Sequence, residues 1–340
     1  IPRSVSMGNK TLLVDASSFQ LSISKGSSPT LEAAIQRYTR IILLHGRSTL
    51  AQQVGEILVG CTLSVSSTTE QLALDMDEGY QLTVDAGACS IHAANFVGAL
   101  RALETLSQLV LSDAGTYGSE DARYWIPSAP WSISDHPRFP YRGLMVDTAR
   151  HWLPLNALRR QIDALAFNKM NVLHWHMTDA QSTPFDSATF PKLKEGAFAP
   201  RAVYSPLDIK DIVEYARLRG VQILMEIDMP GHSYAFGIGY PELIVNCSAM
   251  YPLETEFWCS SLNPSRPELY TWLQALLREL VDLLPNTLFH IGGDEVQYQC
   301  WKTDPAMVAY LASRNMTGVQ LYQEFEYKMF DMLAKLGRKP

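Results

Sequence analysis

From residue 143 to residue 291, continuous apolar runs alternate with helical segments, and few folds accept that grammar. Gly143 to Thr148, Asn171 to Met177, Val221 to Ile227 and Thr287 to Ile291 read as strands. Pro154 to Ala166 reads as a helix, with Pro154 near its first position and Leu155, Leu158, Ile162 and Leu165 along one face. Ser205-Pro206-Leu207-Asp208 opens a second helix with a capping serine, a first-turn proline and an early acid, and Gly220 closes it. Pro267 to Leu284 reads as a third. Strands that are apolar throughout are buried on both faces. Alternation with helices therefore predicts a parallel sheet covered on both sides, or one closed into a barrel.

The first part of the chain follows another rule. Thr11 to Val14, Phe19 to Ile23, Leu63 to Ser66, Tyr80 to Val84 and Ala88 to His92 read as short strands, the last two joined by the turn Asp85-Ala86-Gly87. Residues 31–44 and Phe96 to Leu111 read as helices. No cluster of acids, bases or metal ligands appears there, which predicts a supporting α+β domain over residues 1–135. Pro127, Pro130, Pro137 and Pro140 mark a crossing into a second domain, residues 136–340.

Each of the four strands of that second domain runs into polar residues at its C-terminal end. The first gives Asp147, Arg150 and His151; the second His174, His176, Thr178 and Asp179; the third Glu226, Asp228 and His232; the fourth His290, Gly292, Gly293, Asp294 and Glu295. One polar strand end is an ion pair or a helix cap. Four in succession would be costly to bury without a purpose, and in a (β/α)₈ barrel the C-terminal face is where active sites are built.

The histidines and acids admit a metal, and His174 and His176 share one strand face that a metal could use, but HEXXH is absent and the other histidines stand on different strands. A serine nucleophile lacks its G-x-S-x-G turn, and Cys300 has no evident base. Asp294-Glu295 is the sharper lead. Two adjacent carboxylates in a dry pocket cannot both ionise easily, which yields a proton donor beside a charge stabiliser. No metal and no cofactor is expected.

Composition narrows the class further. Hydrophobic residues make up 47% and charged residues 19%, which suits a chain with a large core and excludes disorder or a coiled coil. The net charge of −7 and the lack of a Lys/Arg cluster argue against a nucleic-acid partner. No apolar run, Ile41 to Leu44 included, comes near the length needed to span a membrane. Cys61, Cys89, Cys247, Cys259 and Cys300 form no CxxC pair, and Asn9, Asn246 and Asn315 open glycosylation sequons. Together these favour a secreted or lysosomal protein.

The segments GALRALETLSQLV (98–110), RGLMVDTARHW (142–152), AFNKMNVLHWHMTDAQS (166–182), EYARLRGVQILMEIDMPGH (214–232) and HIGGDEV (290–296) together resemble the family 20 glycoside hydrolases, the β-N-acetylhexosaminidases, most closely the animal lysosomal type. The resemblance covers most of the chain. It implies a small α+β domain followed by a (β/α)₈ TIM barrel of which about the first half is present. It also implies retaining hydrolysis of terminal β-linked N-acetylglucosamine or N-acetylgalactosamine, with the substrate's own acetamido oxygen as nucleophile.

By the same resemblance, Glu295 is the general acid and base. Asp294 orients the acetamido group, and Asp179 with His232 hydrogen-bonds around the acid. Arg150 grips two sugar hydroxyls, fixed by Asp147, while His176, Glu226 and Asp228 stand behind these groups. Cys247 and Cys300 match a disulfide of the lysosomal relatives; Cys61, Cys89 and Cys259 stay unassigned.

The sequence departs from the family in three places. Asp179 is followed by Ala180 where a second acid is common, and Cys259 stands where no cysteine is expected. Arg142 to Pro340 also holds about 200 residues, short of the roughly 250 of a whole barrel. The basic stretch from Lys335 to Pro340, with Gly337 as helix cap, reads as the turn toward a fifth strand. The expectation is a fourth strand with an open edge and the rest of the barrel on a second polypeptide, with a homo- or heterodimer as the assembly. The competing reading is a non-catalytic glycan-binding or regulatory piece. A rival enzyme reading, a hydrolase with two protein carboxylates, would also cleave β-glucosides that lack the acetamido group.

Overall fold

The computed structural model describes residues 2–44, 55–113, 122–245, 247, 260–285 and 287–340. It divides into two compact units. One holds residues 1–142 with 166–171 and 217–221; the other holds 143–165, 172–216 and 222–340.

The first unit is a mixed sheet with two helices. In chain order its elements are β1 (Ser4–Val14), β2 (Gln20–Lys25), α1 (Pro29–Ile42), β3 (Ile57–Leu58), β4 (Gly60–Val65), β5 (Tyr80–Asp85), β6 (Ala88–Ala93), α2 (Phe96–Leu109), β7 (Leu111–Ser112) and β8 (Tyr124–Asp135). The sheet order is β2-β4-β6-β5-β8-β1-β3, with β7 on β8. Strict alternation along β5 buries Tyr80, Leu82 and Val84 and exposes the residues between them. Asn95 caps α2 by accepting from the Val97 and Gly98 amides. Cys61 and Cys89 form a disulfide.

Only the second half of the proline-rich crossing, with Pro137 and Pro140, is a loop. Pro127 and Pro130 lie inside β8, which pairs antiparallel with β1. The strand tolerates them because the pairing register shifts between Met7 and Lys10 and again between Lys10 and Leu12, opposite these prolines. A residue without an N–H can sit where the ladder is already interrupted.

The second unit carries the strand–helix alternation: β9 (Gly143–Asp147), α3 (Leu155–Phe167), β10 (Val172–Thr178), α4 (Pro206–Arg217), β11 (Gln222–Ile227), α5 (Tyr234–Gly239) and α6 (Pro267–Val281), then α7 (Tyr298–Trp301), α8 (Pro305–Ser313) and α9 (Gly318–Lys335). The three strands are parallel in the order β11-β10-β9. Every residue of β11 is buried, and all of β10 except His174. β9 is the edge, and its Leu144 and Met145 are exposed.

The fourth strand forms only as isolated bridges. His290 pairs with Glu226, with amide bonds from His290 to Met225 and from Ile227 to His290. The reason is local: Gly292 (φ +69°) and Gly293 (φ +116°) turn the chain out of extended geometry just after it. Its outer edge is not wholly open, contrary to expectation, because Leu288 bridges in parallel to Lys339. The helix before Lys339 ends in a Schellman turn. Gly337 (φ +71°) donates to Ala334 and Arg338 to Leu333, which redirects the chain alongside the fourth strand.

Candidate active site

Asp147 ends β9, and its Oδ1 accepts from the amides of Ala149 and Arg150 at 2.9 and 3.0 Å. This tight turn delivers the Arg150 guanidinium back over the sheet. Its Nη1 meets Asp147 Oδ2 and its Nη2 meets Asp179 Oδ2, each at 2.8 Å. Alternation along β10 sends His174 and His176 to one face while Trp175 and Met177 are fully buried on the other.

His176 Nε2 lies 2.8 Å from Asp179 Oδ2, and its Nδ1 lies 2.8 Å from Glu226 Oε2. Glu226 also takes His174 Nε2 at 2.5 Å and His290 Nδ1 at 3.2 Å. Asp179 uses its other oxygen for His232 Nδ1 at 3.1 Å. The opposite ring nitrogen of His232 then stands 3.3 Å from Glu295 Oε2 and 3.9 Å from Asp294 Oδ2. His232 and Glu295 both sit at positive φ, 48° and 50°, so the local backbone is bent to make these approaches.

The result is a chain of alternating charge: Asp147, Arg150, Asp179, His232, Glu295. Burial pushes Asp179 up, but its bonds from His176 and His232 outweigh this and hold it well below the usual carboxylate range. Burial likewise pushes Glu226 up, and three histidines outweigh it. Burial pulls His176 down; its two carboxylate partners nevertheless raise it to about 10, so it stays protonated. The Asp179 bond raises His232 against the effect of burial. With Nδ1–H committed to Asp179, a protonated His232 aims its second proton toward the acid pair.

The acid pair itself departs from expectation. Asp294 and Glu295 side chains are 69% and 72% exposed, so the dry pocket imagined for them is not formed by the described residues. Desolvation acts on Asp228 instead. Burial pushes it up to about 7, against the Gly293 amide bond at 3.0 Å that favours its charged form and with the nearby charge of Asp294 adding to the rise. A Cβ on Gly292 would come 1.8 Å from Asp228 Oδ1, so only glycine lets the strand pass this carboxylate.

Three histidine–acid groupings have donor atoms within 4.8 Å of one another: His174, Glu226 and His290; His176, Asp179 and Asp228; and Asp228, His232 and Asp294. Within the first two, short hydrogen bonds already join histidine to carboxylate.

The structure thus brings together all nine singled-out site residues. Sequence reasoning gave no role to Tyr322 and Glu326 on α9. Tyr322 donates its hydroxyl to the Gly293 carbonyl at 2.5 Å. Their spacing of four beside the buried row Leu321, Phe325 and Met329 was the available signal. Cys247 is joined to Cys300, in a small core with Val245, Trp301, Met307 and Leu321 that lies under the segment following Glu295. Asn9 and Asn315 are exposed, whereas Asn246 and Cys259 lie outside the described residues.

Comparison with known proteins decides the family. The model of the glycosyl hydrolase family 20 catalytic domain matches residues 139–340, and that of a β-acetyl hexosaminidase-like domain matches residues 1–109. The chain belongs to glycosyl hydrolase family 20.

Among curated relatives of the family, β-hexosaminidase subunit A1 of Dictyostelium discoideum is 36% identical over 99% of this chain and 61% of its own length. The β-hexosaminidase subunit beta of Mus musculus is 36% identical over 91% of this chain and 58% of its own. The chain therefore spans about three-fifths of the length of these relatives. A solved chitobiase of Flavobacterium johnsoniae superposes with a TM-score of 0.84 at 32% identity, covering 99% of this chain and 50% of that one. The strand–helix unit is accordingly part of a family 20 TIM barrel: three strands, a bridged fourth position and the first pairing of a fifth.

Proposed function

We propose that this chain carries the acid–base half of a β-N-acetylhexosaminidase site that removes terminal β-linked N-acetylglucosamine or N-acetylgalactosamine from glycans. The observation that carries the reading is the line Arg150–Asp179–His232–Glu295 at consecutive strand ends. It points a cation-backed carboxyl at open space beside a second carboxylate. Relatives named β-hexosaminidase support the substrate class, as does a Vibrio harveyi family member solved with N-acetylglucosamine.

In this mechanism the substrate's acetamido oxygen attacks the anomeric carbon as the glycosidic bond breaks. Glu295 gives its proton to the leaving oxygen. Asp294 accepts the acetamido N–H and stabilises the charge that develops on the oxazolinium ring. Water, deprotonated by Glu295, then opens the ring at the anomeric carbon, so configuration is retained. His232, held by Asp179, lies where it can favour ionised Glu295 after proton transfer. Arg150 suits a pair of vicinal hydroxyls because a planar guanidinium presents parallel donors. Asp147 and Asp179 hold it in place, while His176 and Glu226 hold Asp179.

We further propose a secreted or lysosomal setting, from the disulfides and the sequons. Assembly as a homo- or heterodimer is proposed because relatives are named as subunits. The part of the relatives that this chain does not span is proposed to complete the sugar pocket. Among the described residues no helix is long and apolar enough to cross a membrane.

The test is hydrolysis of a chromogenic β-N-acetylglucosaminide beside the matching β-glucoside. The acetamido sugar should be cleaved and the glucoside left intact. Comparable cleavage of both would mean a protein nucleophile, and cleavage of neither would support a non-catalytic role.

A further inference from the structure

Beside Gly293 stand Tyr322 and Glu326, one turn apart on α9. A Cβ on Gly293 would lie 2.7 Å from the Tyr322 hydroxyl and 3.4 Å from Glu326 Oε1. Glu326 Oε1 is buried and has no hydrogen-bond partner. The Tyr322 hydroxyl thus faces two acceptors, the Gly293 carbonyl that it now serves and the Glu326 carboxyl beside it. A phenol has one proton to give.

We propose that Glu326 is a positioning residue that sets the pH range of the site by deciding where the Tyr322 proton goes. With Glu326 protonated, its carboxyl O–H donates to the Tyr322 oxygen and Tyr322 donates to Gly293, so the turn bearing Asp294 and Glu295 is tied to α9. With Glu326 ionised, the carboxylate competes for the phenol proton. The Gly293 carbonyl then loses its donor, and the turn is released. No bond other than hydrogen bonds changes, and the single proton lost by Glu326 goes to solvent.

The surroundings put this exchange near neutral pH. Burial pushes Glu326 up to about 7, against the favourable effects of Tyr322 and His290 on its charged form. Tyr322 is pushed up to about 12, by burial first and then by the charge of Glu326, with Tyr298, Asp228 and Asp294 adding to it, so it keeps its proton throughout. The groups that face the pair are therefore His290 from the fourth strand position, Tyr298 from α7, Asp228 from the end of β11, and Asp294. Asp228 and His232 also titrate upward of their ordinary values, so Glu326 contributes one part of the alkaline limb.

The inference rests on the proposed activity, and the experiment separates the two. In the intact protein, kcat and KM for a β-N-acetylglucosaminide are measured from about pH 4 to pH 9 for wild type, Glu326→Gln, Tyr322→Phe and the double variant. Gln keeps a permanent N–H donor toward Tyr322. Its kcat relative to the acid maximum should exceed wild type by about threefold or more near pH 8, with KM little changed. Tyr322→Phe should lower kcat at acid pH and abolish the difference between Glu and Gln at 326.

Superimposable profiles for wild type and Glu326→Gln would overturn the inference, as would a shift that persists without the Tyr322 hydroxyl. Carboxyl ¹³C NMR of Glu326 without substrate supplies the second readout. Titration near neutrality, moved by Tyr322→Phe, is expected; titration in the ordinary glutamate range would overturn the inference whatever the activity. An inactive wild type with Glu326 titrating near neutrality would count against the proposed function alone.

Discussion

Buried charge is handled in opposite ways by the two units. In the first, Glu78 lies between Arg101 and Arg142, at 2.8 and 2.5 Å, and also accepts from the Asn171 amide at 2.9 Å. Both carboxylate oxygens have partners and the cluster is closed. In the second, the network from Asp147 to Glu295 is also built of short ion pairs, yet it ends in open valences. Asp228 Oδ2, His232 Nε2 and Glu326 Oε1 are buried without a hydrogen bond. Among the described residues, every buried side-chain nitrogen or oxygen left unpaired lies in this second unit. Unpaired buried groups cost stability, so their concentration at the strand ends is the physical mark of a site, whereas the closed cluster is the mark of a scaffold.

The sharpest way to break this contrast is at Glu78. Glu78→Gln leaves two arginines facing a neutral group in the interior. It should lower unfolding free energy by roughly 3–5 kcal/mol in urea titration, with turnover per folded molecule unchanged. Loss of turnover without loss of stability would make the cluster part of the site. The converse variant is His232→Gln. It should lower kcat by about 10²-fold, because nothing then favours the ionised acid, and shift the unfolding midpoint little. A large stability loss with retained kcat would place His232 in the scaffold class.

The smallest expected effect is a pH dependence at Asp228. Its folded pKa, about 7, lies above the unfolded value of 3.8. A raised carboxyl contributes stability that is fully present below the unfolded pKa and is lost as pH rises through the folded pKa. Asp228→Asn should therefore gain on the order of 1–2 kcal/mol relative to wild type near pH 8, and nothing below about pH 4. Thermal unfolding at the two pH values reads this directly. A gain that is equal at both would mean that packing, not charge, is involved.

What could be read in advance followed the strength of the local signal. The alternation of apolar strands and capped helices from Gly143 onward is strong because burial on both faces leaves few polar positions, and β10 and β11 form where it placed them. β8 was hidden by Pro127 and Pro130, since a bulge that accommodates proline is a property of the partner strand. The fourth strand was overread: Thr287 to Ile291 has strand composition, but two glycines at positive φ limit it to bridges.

At the site, the strand-end rule located the nine grouped acids, histidines and arginine, because parallel strands deliver their C-terminal residues to one edge. It missed Tyr322 and Glu326, which arrive from a helix far along the chain and meet Gly293 only through the fold. It also placed desolvation on Asp294 and Glu295, when the burial falls on Asp228, two residues beyond β11's last buried acid.

In the proposed mechanism the two exposed carboxylates divide the labour, Glu295 moving the proton and Asp294 supporting the acetamido group. The direct measurement is the dependence of kcat/KM on leaving-group pKa for Glu295→Gln and Asp294→Asn across a series of aryl β-N-acetylglucosaminides. Glu295→Gln should lose most on poor leaving groups, by about 10²–10⁴-fold, and little on the most activated one. Asp294→Asn should lose activity across the whole series, because ring closure onto the acetamido oxygen is impaired whatever departs. Parallel losses in both variants at every leaving group would contradict the account.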